Sequence, residues 1–569
     1  MTDRRFWWTL AAILLVALAL RGLFPAADPP WRSTVGVVWH DEGAWTHNAR
    51  NKALYGAWVQ DAWNPVYIAP VFTGLEYLSF EAFGVGLRQA RLVSEAAGVI
   101  SVLLLALGVR RIAGNAAALF AGALLATNYV YVMYDRAAIM EALMAAFIVS
   151  SWYCSARAER QPAWGALAGV LAALAFFTKA AAAFYVGALV LMVVLDFVSG
   201  IPPEGGSDRH DRVRRNLGRN AWTLAGLALA FALIGALFVL PHWADYRFYN
   251  WQISVTRKPS YDIKSILTRV SWFPVLHSTF SRMWVALCLG VLGAWSVAVG
   301  WRRAGTAERL LLLWVGVGVL ELLLHDVGNE RRFVFLIPAL VALASLVLAR
   351  GSLLPDHVQS VSRTRILLVL PVVVYCAYVL LGPVIRLAFL DQVYAGLLKW
   401  PVRLSAALAI VLSCVLVAGW TRAAALLTRR WTPAVAAGAV LAGSVWNVGQ
   451  FADWAAHRTY KNYAASVELA RILPADTLVQ GKLANGLDLE NRIRPLFIGH
   501  GFGNFADRNV RQDVRYILTY TDPSIGYEGD QIVDVLTANP GRRIIMTFPV
   551  AETPSGHDTA VLIDKRARD

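Results

Sequence analysis

Val38-Trp39-His40-Asp41-Glu42-Gly43 lies between an apolar run at 6–24 and the next at 92–109, and the reading of the whole chain turns on it. Two adjacent carboxylates in a loop that leaves a membrane span cost little if they sit in a solvated turn. Here the residues that follow are aromatic and amphipathic. Trp45, Ala49, Ala53, Leu54 and Trp58 are interleaved with Asn48, Arg50, Asn51 and Lys52, which predicts a helix over 43–58 lying at the bilayer interface. Asn64-Pro65-Val66-Tyr67-Ile68-Ala69-Pro70 then breaks the chain before a second amphipathic helix ending near Phe83. An acidic pair held at the membrane face is placed to deprotonate an acceptor hydroxyl. The alternative is a re-entrant scaffold with no chemistry.

Composition supports a membrane setting for this loop. Of 569 residues 57% are hydrophobic and 16% charged, against about 25% charge in soluble chains. The net charge of +15 suits anionic lipid or phosphate partners, and no nucleic-acid-binding motif accompanies it. Cys154, Cys288, Cys376 and Cys414 are scattered through apolar stretches without a CxxC, and read as small core residues.

Apolar windows occur at 6–24, 92–109, 113–133, 139–155, 163–177, 181–198, 222–240, 283–300, 310–324, 333–349, 366–381, 404–420 and 433–448. They predict an α-helical polytopic membrane protein of about thirteen spans. The basic start Arg4-Arg5 and the run at 6–20 also fit a signal peptide. A retained helix is expected, because the run approaches the ~20 residues of a span and cleavage would free the Asp41 loop from one anchor. Arg110 and Arg111, Arg157 and Arg160, Arg302 and Arg303, Arg363 and Arg365, and Arg429 and Arg430 fall in alternate short loops. The positive-inside rule then places the N-terminus in the cytoplasm and the loop at 25–88 outside. An odd helix count puts the C-terminal region outside as well. The composition suggests a bacterial plasma membrane.

Within this organisation 1–450 is a transmembrane catalytic module and 451–569 a small extracytoplasmic α/β domain. Strands are predicted at 477–481, 495–499, 514–520, 542–550 and 559–564, with helices at 467–472, 482–489 and 531–538. Gly499-His500-Gly501-Phe502-Gly503 is a glycine-rich turn and not a dinucleotide fingerprint.

Three further constellations fall on the outer side under this topology. Tyr134-Asp135-Arg136-Ala137-Ala138-Ile139-Met140-Glu141 puts an ionisable Glu141 at the edge of an apolar segment. Such a group is costly in hydrocarbon and therefore a functional suspect, unless Arg136 merely pairs with it locally. Phe176-Phe177-Thr178-Lys179 places an ammonium between two helix ends, to snorkel or to bind a lipid phosphate. His325-Asp326-Val327-Gly328-Asn329-Glu330-Arg331-Arg332-Phe333 offers paired guanidiniums suited to phosphate, with Glu330 available to neutralise one. Arg257, Lys258, Lys264 and Arg269 add outer basic charge that a solvated loop would explain.

These residues resemble the GT-C superfamily of polyprenyl-phosphate-dependent glycosyltransferases, on the bacterial branch related to protein O-mannosyltransferases and lipid A aminoarabinose transferases. The resemblance covers approximately the first 350 residues. Asp41-Glu42-Gly43 matches the family's acidic pair in the first outside loop, and Arg91 in Gly84-Val85-Gly86-Leu87-Arg88-Gln89-Ala90-Arg91 its helix-opening Arg. Arg136 and Glu141 keep the Arg-x-x-x-x-acid spacing, with Glu where Asp is common. Phe177-Thr178-Lys179-Ala180 looks like Leu-Thr-Lys-Gly, with Ala replacing Gly, and Arg332-Phe333-Val334-Phe335-Leu336-Ile337-Pro338 like Arg-Tyr-x-x-x-x-Pro. Ile68-Ala69-Pro70 departs from the Lys-Pro-Pro element of aminoarabinose transferases, which argues against assuming their donor.

The resemblance implies inverting transfer of a single sugar from a polyprenyl-phosphate donor to a lipid, glycan or protein acceptor. Asp41 would be the general base, and Glu42 would orient the acceptor or help hold a metal. Lys179, Arg331, Arg332 and Arg91 would bind the donor phosphate, and Arg136, Glu141 and Tyr67 would shape the cavity. Superfamily members differ in metal dependence; His40 and His47 flank the acids, and a divalent metal is left open. A multi-pass transporter or flippase of lipid-linked saccharides is the rival reading, though no internal repeat of the kind many transporters show is seen. A non-catalytic scaffold is a third.

Overall fold

The computed structural model describes residues 3–30, 39–199, 209–254, 262–265, 282–325, 330–356, 399–522, 529–552 and 558–566, with isolated positions between 370 and 381. The N-terminal part is a helical bundle. It contains α1 (Asp3–Gly22), α2 (Asp41–Tyr55), α3 (Pro70–Phe83), α4 (Leu87–Thr127), α5 (Tyr129–Asp135), α6 (Met140–Ala158) and α7 (Trp164–Thr178). It continues through α8 (Ala183–Ser199), α9 (Arg209–Ile234), α10 (Trp243–Ser254), α11 (Trp284–Val299), α12 (Thr306–His325) and α13 (Ile337–Arg350). After residue 398 come α14 (Lys399–Ala418), α15 (Trp420–Leu427), α16 (Pro433–Ala456) and α17 (Lys461–Ile472).

Among the described residues six helices are long and apolar enough to cross a membrane, or up to eight if each of two bent pairs is one span. The expected thirteen are not reached. One expected span, at 366–381, lies almost wholly outside the described residues. Two others, at α7 and α11, are apolar helices of 15 and 16 residues, short of the ~20 a full crossing needs. The 41-residue α4 contains two antiparallel limbs. Gly114 has φ +82°, a left-handed conformation that glycine alone adopts without Cβ strain, and a Cβ on Gly122 would touch that of Ala106 at 3.6 Å. In a straight helix those residues would stand about 24 Å apart. The second limb stops at Thr127 instead of running to 133, because the Asn128 side chain accepts from Tyr131 N at 2.9 Å and starts α5.

Helix contacts are made close by small residues. A Cβ on Gly169 would lie 2.2 Å from Thr223 O, and one on Gly226 2.0 Å from Ala166 O, so the α7 and α9 backbones touch. The apolar core gathers around α4, α6 and α13, where Leu105, Tyr131, Trp152, Trp314 and Phe335 are all buried.

The C-terminal domain carries a five-stranded sheet. Its strands are β1 (Leu478–Gln480), β2 (Arg494–Leu496), β3 (Tyr516–Tyr520), β4 (Arg543–Pro549) and β5 (Thr559–Asp564), in the order β2-β1-β3-β5-β4. β1 runs parallel to β2 and β3, while β5 is antiparallel to β3 and β4. Successive side chains point to opposite faces, so Leu518 and Leu562 pack with α17 residue Leu469. Ile517, Val561 and Ile563 pack with Ile532 and Val535 of α20 (Gly529–Thr537) on the other face. α18 (Lys482–Gly486) and α19 (Gly503–Ala506) complete the domain.

Two expectations about the first loop change. The helix begins at Asp41 and not at Gly43, so both acids lie in its first turn. It is also enclosed by protein: Thr46, His47, Asn48, Ala49, Arg50 and Asn51 are all buried, because α2 is packed between α3 and α18 of the C-terminal domain. A Cβ on Gly43 would fall 1.7 Å from Asn485 O.

Candidate active site

Asp41 and Glu42 are adjacent in sequence, yet consecutive helical residues project about 100° apart. The two carboxylates therefore enter different surroundings. Glu42 turns inward and receives Arg91 in bidentate fashion, with Nε and Nη2 each donating at 2.7 Å, while Ala138 N donates to it at 2.9 Å. Arg91 Nη1 donates to Pro25 O and Ala27 O at 3.0 and 2.7 Å. Both side chains are buried, and the pair staples α2 to the start of α4 and to the turn before α6.

Asp41 turns toward the short 3-10 segment Glu330–Leu336 that leads into α13. Its Oδ2 accepts from Arg331 Nη1 at 2.6 Å. Arg331 Nε lies 3.2 Å from Glu141 Oε1, and Lys179 Nζ donates to the same oxygen at 2.5 Å. Lys179 is the extended C-cap residue of α7, its N–H donating to Ala175 O at 3.0 Å, in the break before α8. Arg332 is within electrostatic reach of Lys179. Two carboxylates and two cations thus alternate from four separate elements. Glu141 is 1% exposed, whereas the Asp41, Lys179 and Arg331 side chains are 13, 16 and 17% exposed. The set is buried at its centre and open at its rim.

Not every residue singled out in the sequence joins this cluster. Arg91 spends its donors on Glu42 and two carbonyls, which leaves it apart from the Lys179–Arg331 group. Arg136 forms no pair with Glu141. Its Nη1 donates to Leu20 O and Arg21 O at 2.9 and 2.6 Å and its Nη2 to Phe24 O at 2.9 Å. A guanidinium so placed satisfies the orphan carbonyls at the C-terminus of α1 and complements its dipole. Tyr67 stacks on Tyr249 of α10 at 5.6 Å within an aromatic cluster of Trp63, Phe497 and Phe502, where the first loop, α10 and the C-terminal domain meet. Arg257, Lys258 and Arg269 lie outside the described residues.

The fit of a divalent metal to the acidic pair is poor. His47 has Nε2 at 3.1 Å from Asp61 Oδ1 and 3.0 Å from Asn51 Nδ2, and Nδ1 at 3.1 Å from Asn485 Nδ2. Glu42 is committed to Arg91. Among the described residues no group of three or more His, Cys, Asp or Glu is placed to hold a metal ion.

The contacts that hold the C-terminal domain over this site had no local signal in the sequence. Arg50, 0% exposed, donates to Asp488 O, Asn491 O and Ile493 O at 3.1, 3.0 and 2.9 Å. Asp28 accepts from Thr459 Oγ1, Lys461 N and Asn462 N at 2.6, 2.7 and 3.2 Å and caps α17. Glu490 Oε1 accepts from Leu87 N at 2.8 Å, and Trp39 Nε1 donates to Ala551 O at 3.1 Å. These partners lie more than 400 residues apart, and no short motif encodes such a pairing.

A bundle of apolar helices, a loop helix carrying an acidic turn and an α/β domain seated on that loop define the GT-C fold of membrane glycosyltransferases. Residues 68–199 match the family model for dolichyl-phosphate-mannose-protein mannosyltransferases. Across 99% of this chain and 98% of theirs, the coordinates superpose on ArnT from Cupriavidus metallidurans in the apo state, with TM-score 0.57 and 16% identity. The same protein bound to undecaprenyl phosphate gives TM-score 0.52 at 16% identity, over 99% of this chain and 97% of that one. No curated protein matches by sequence. The chain thus shares the fold of ArnT, and its residues 68–199 are similar to the dolichyl-phosphate-mannose-protein mannosyltransferases.

Proposed function

We propose that the protein transfers a single sugar from a polyprenyl-phosphate carrier to an acceptor hydroxyl, with inversion, at the outer face of a bacterial inner membrane. The observation that carries this reading is the four-residue cluster of Asp41, Arg331, Glu141 and Lys179, with carboxylate and cation side by side at a partly open rim. The undecaprenyl phosphate bound by ArnT supports a lipid phosphate as the ligand such cations would receive.

Asp41 accepts the proton of the acceptor hydroxyl as its oxygen attacks the anomeric carbon. The bond from that carbon to the phosphate oxygen breaks on the opposite face, and polyprenyl phosphate leaves with the electron pair. Lys179, Arg331 and Arg332 offset the charge that grows on the leaving phosphate, where preorganised cations act most strongly. Glu141 holds Lys179 and Arg331 beside one carboxylate oxygen. No step is routed through a metal. Glu42 and Arg91 hold α2 in place and do not enter the chemistry.

The test is sugar transfer by purified protein from a panel of labelled polyprenyl-phosphate monosaccharides, with native membrane extract as acceptor. Wild type transfers from one donor, and Asp41→Asn loses at least about a hundredfold in rate, the scale of general-base removal. Labelled lipid crossing vesicles without sugar transfer would support a transporter instead.

A further inference from the structure

We propose that Arg331 is a latch: it occupies Asp41 until a donor phosphate draws the guanidinium away, so that binding the donor releases the base. This rests on the reading of Asp41 as base and of Lys179 and Arg331 as phosphate ligands. With Arg331 Nη1 donating at 2.6 Å to Asp41 Oδ2, that oxygen is engaged by a guanidinium when it would have to take a proton from a hydroxyl. A carboxylate charge already matched by a guanidinium takes a proton less readily, so the acceptor is activated less well in the resting arrangement.

The geometry also says which contact yields. The four side chains carry two negative and two positive charges, with Arg332 within electrostatic reach of Lys179, so an arriving phosphate competes with the two carboxylates for these cations. Glu141 is 1% exposed and has both Lys179 and Arg331 beside a single oxygen. It serves as the fixed pivot, because stripping its cations would leave a carboxylate buried and uncompensated. The Asp41–Arg331 contact lies at the rim, with the partners 13 and 17% exposed. Water reaches Asp41 there, and releasing it costs least. Arg331 can turn its Nη end toward a phosphate while Nε remains against Glu141, since the guanidinium fork presents several donors in fixed directions.

Asp41 and the donor phosphate then compete for one guanidinium, and such competition is reciprocal. The experiment is titration of the purified full-length protein in detergent with undecaprenyl phosphate, read by tryptophan fluorescence, alongside donor turnover. Asp41→Asn binds the lipid phosphate more tightly than wild type, by several-fold to about a hundredfold, the usual range of such couplings. In an Arg331→Gln background the same Asp41→Asn change has no effect on affinity. If Arg331→Gln does not purify as a folded protein, Arg331→Lys replaces it, and the gain from Asp41→Asn shrinks there.

Unchanged or weaker binding by Asp41→Asn overturns the latch. So does a gain that persists without Arg331, which would be simple charge repulsion between Asp41 and phosphate. Loss of turnover in Asp41→Asn with unchanged affinity leaves the transferase reading standing and the latch refuted. Retention of turnover in Asp41→Asn refutes the reading of Asp41 as the base, on which the latch rests.

Discussion

One residue apart, Asp41 and Glu42 have opposite physical situations, and their substitutions separate accordingly. Glu42→Gln leaves the Arg91 guanidinium buried, 3% exposed, without its counter-charge. Breaking a buried pair from one side costs about 3–5 kcal/mol, so the variant unfolds well below wild type in a thermal scan in detergent. Asp41→Asn removes an ion pair at the partly open rim, with the partners 13 and 17% exposed, and Glu141 still faces Arg331, so it costs less than the Glu42 change. It keeps the wild-type transition and loses turnover. Glu76 on α3 makes a third case. It is 0% exposed, and among the described residues neither carboxylate oxygen has a hydrogen-bond partner. Burial, with the Glu42 charge as a lesser cause, raises it well above the usual carboxylate range. The folded state therefore keeps a proton that the unfolded chain gives up above pH 4.5. Unfolding is increasingly favoured as pH rises from there toward the folded value, by about 1.4 kcal/mol per unit. Glu76→Gln is accordingly more stable than wild type at pH 7.5 and indistinguishable from it near pH 4.5, which thermal scans at the two pH values measure.

At the scale of the element, α2 decides the geometry of the site, and the sequence exposed only part of its placement. The interleaving of aromatic and polar residues after Gly43 marked a helix correctly. It read as an interfacial helix because Trp45, Trp58 and Lys52 are what an interface selects, while the second partner of the helix, α18, lies more than 400 residues downstream. The charged motifs were legible for the opposite reason: Lys179, Arg331 and Glu141 each interrupt apolar sequence, where a charge is conspicuous. Sequence spacing suggested that Arg136 and Glu141 act together; the fold instead sends Arg136 to the end of α1, because its neighbours in space are open carbonyls. The α2–α18 contact itself is testable through Gly43. An added methyl group would meet the Asn485 carbonyl oxygen at 1.7 Å and Asp488 Oδ1 at 2.8 Å, and the nearer contact is backbone, which cannot swing aside. Gly43→Ala must shift the first turn of α2, and with it Asp41. Displacements near 1 Å cost about a hundredfold in rate, so turnover falls on that order. Gly74→Ala on α3, where a Cβ meets nothing within 4 Å, keeps wild-type turnover and gains a little helix stability.

For the whole molecule, the five strands of the C-terminal domain fall within a few residues of where alternation and turn residues placed them, yet nothing in that pattern showed what the domain is for. Its attachment answers part of the question. Arg50 reaches three carbonyls of the segment from Asp488 to Ile493, and Tyr55 Oη donates to Arg492 O at 2.8 Å. His47 meets Asn485 as well. Asp488 sits 3.5 Å from Arg50 Nε, and burial pushes its carboxyl up to about 6 although Arg50 and His47 both favour the charged form. A domain that merely captured acceptor would need only a surface contact with the loop. Here Arg50 is fully buried, and it, Tyr55 and His47 depend on the domain for partners. Loss of one partner should therefore loosen both sides together. In Arg50→Met, amide hydrogen exchange rises simultaneously at 41–55 and 482–493, while β3 and β5, packed around Leu518 and Leu562, keep their protection. Exchange rising on only one side of the contact would mean that the domain and α2 are stabilised independently.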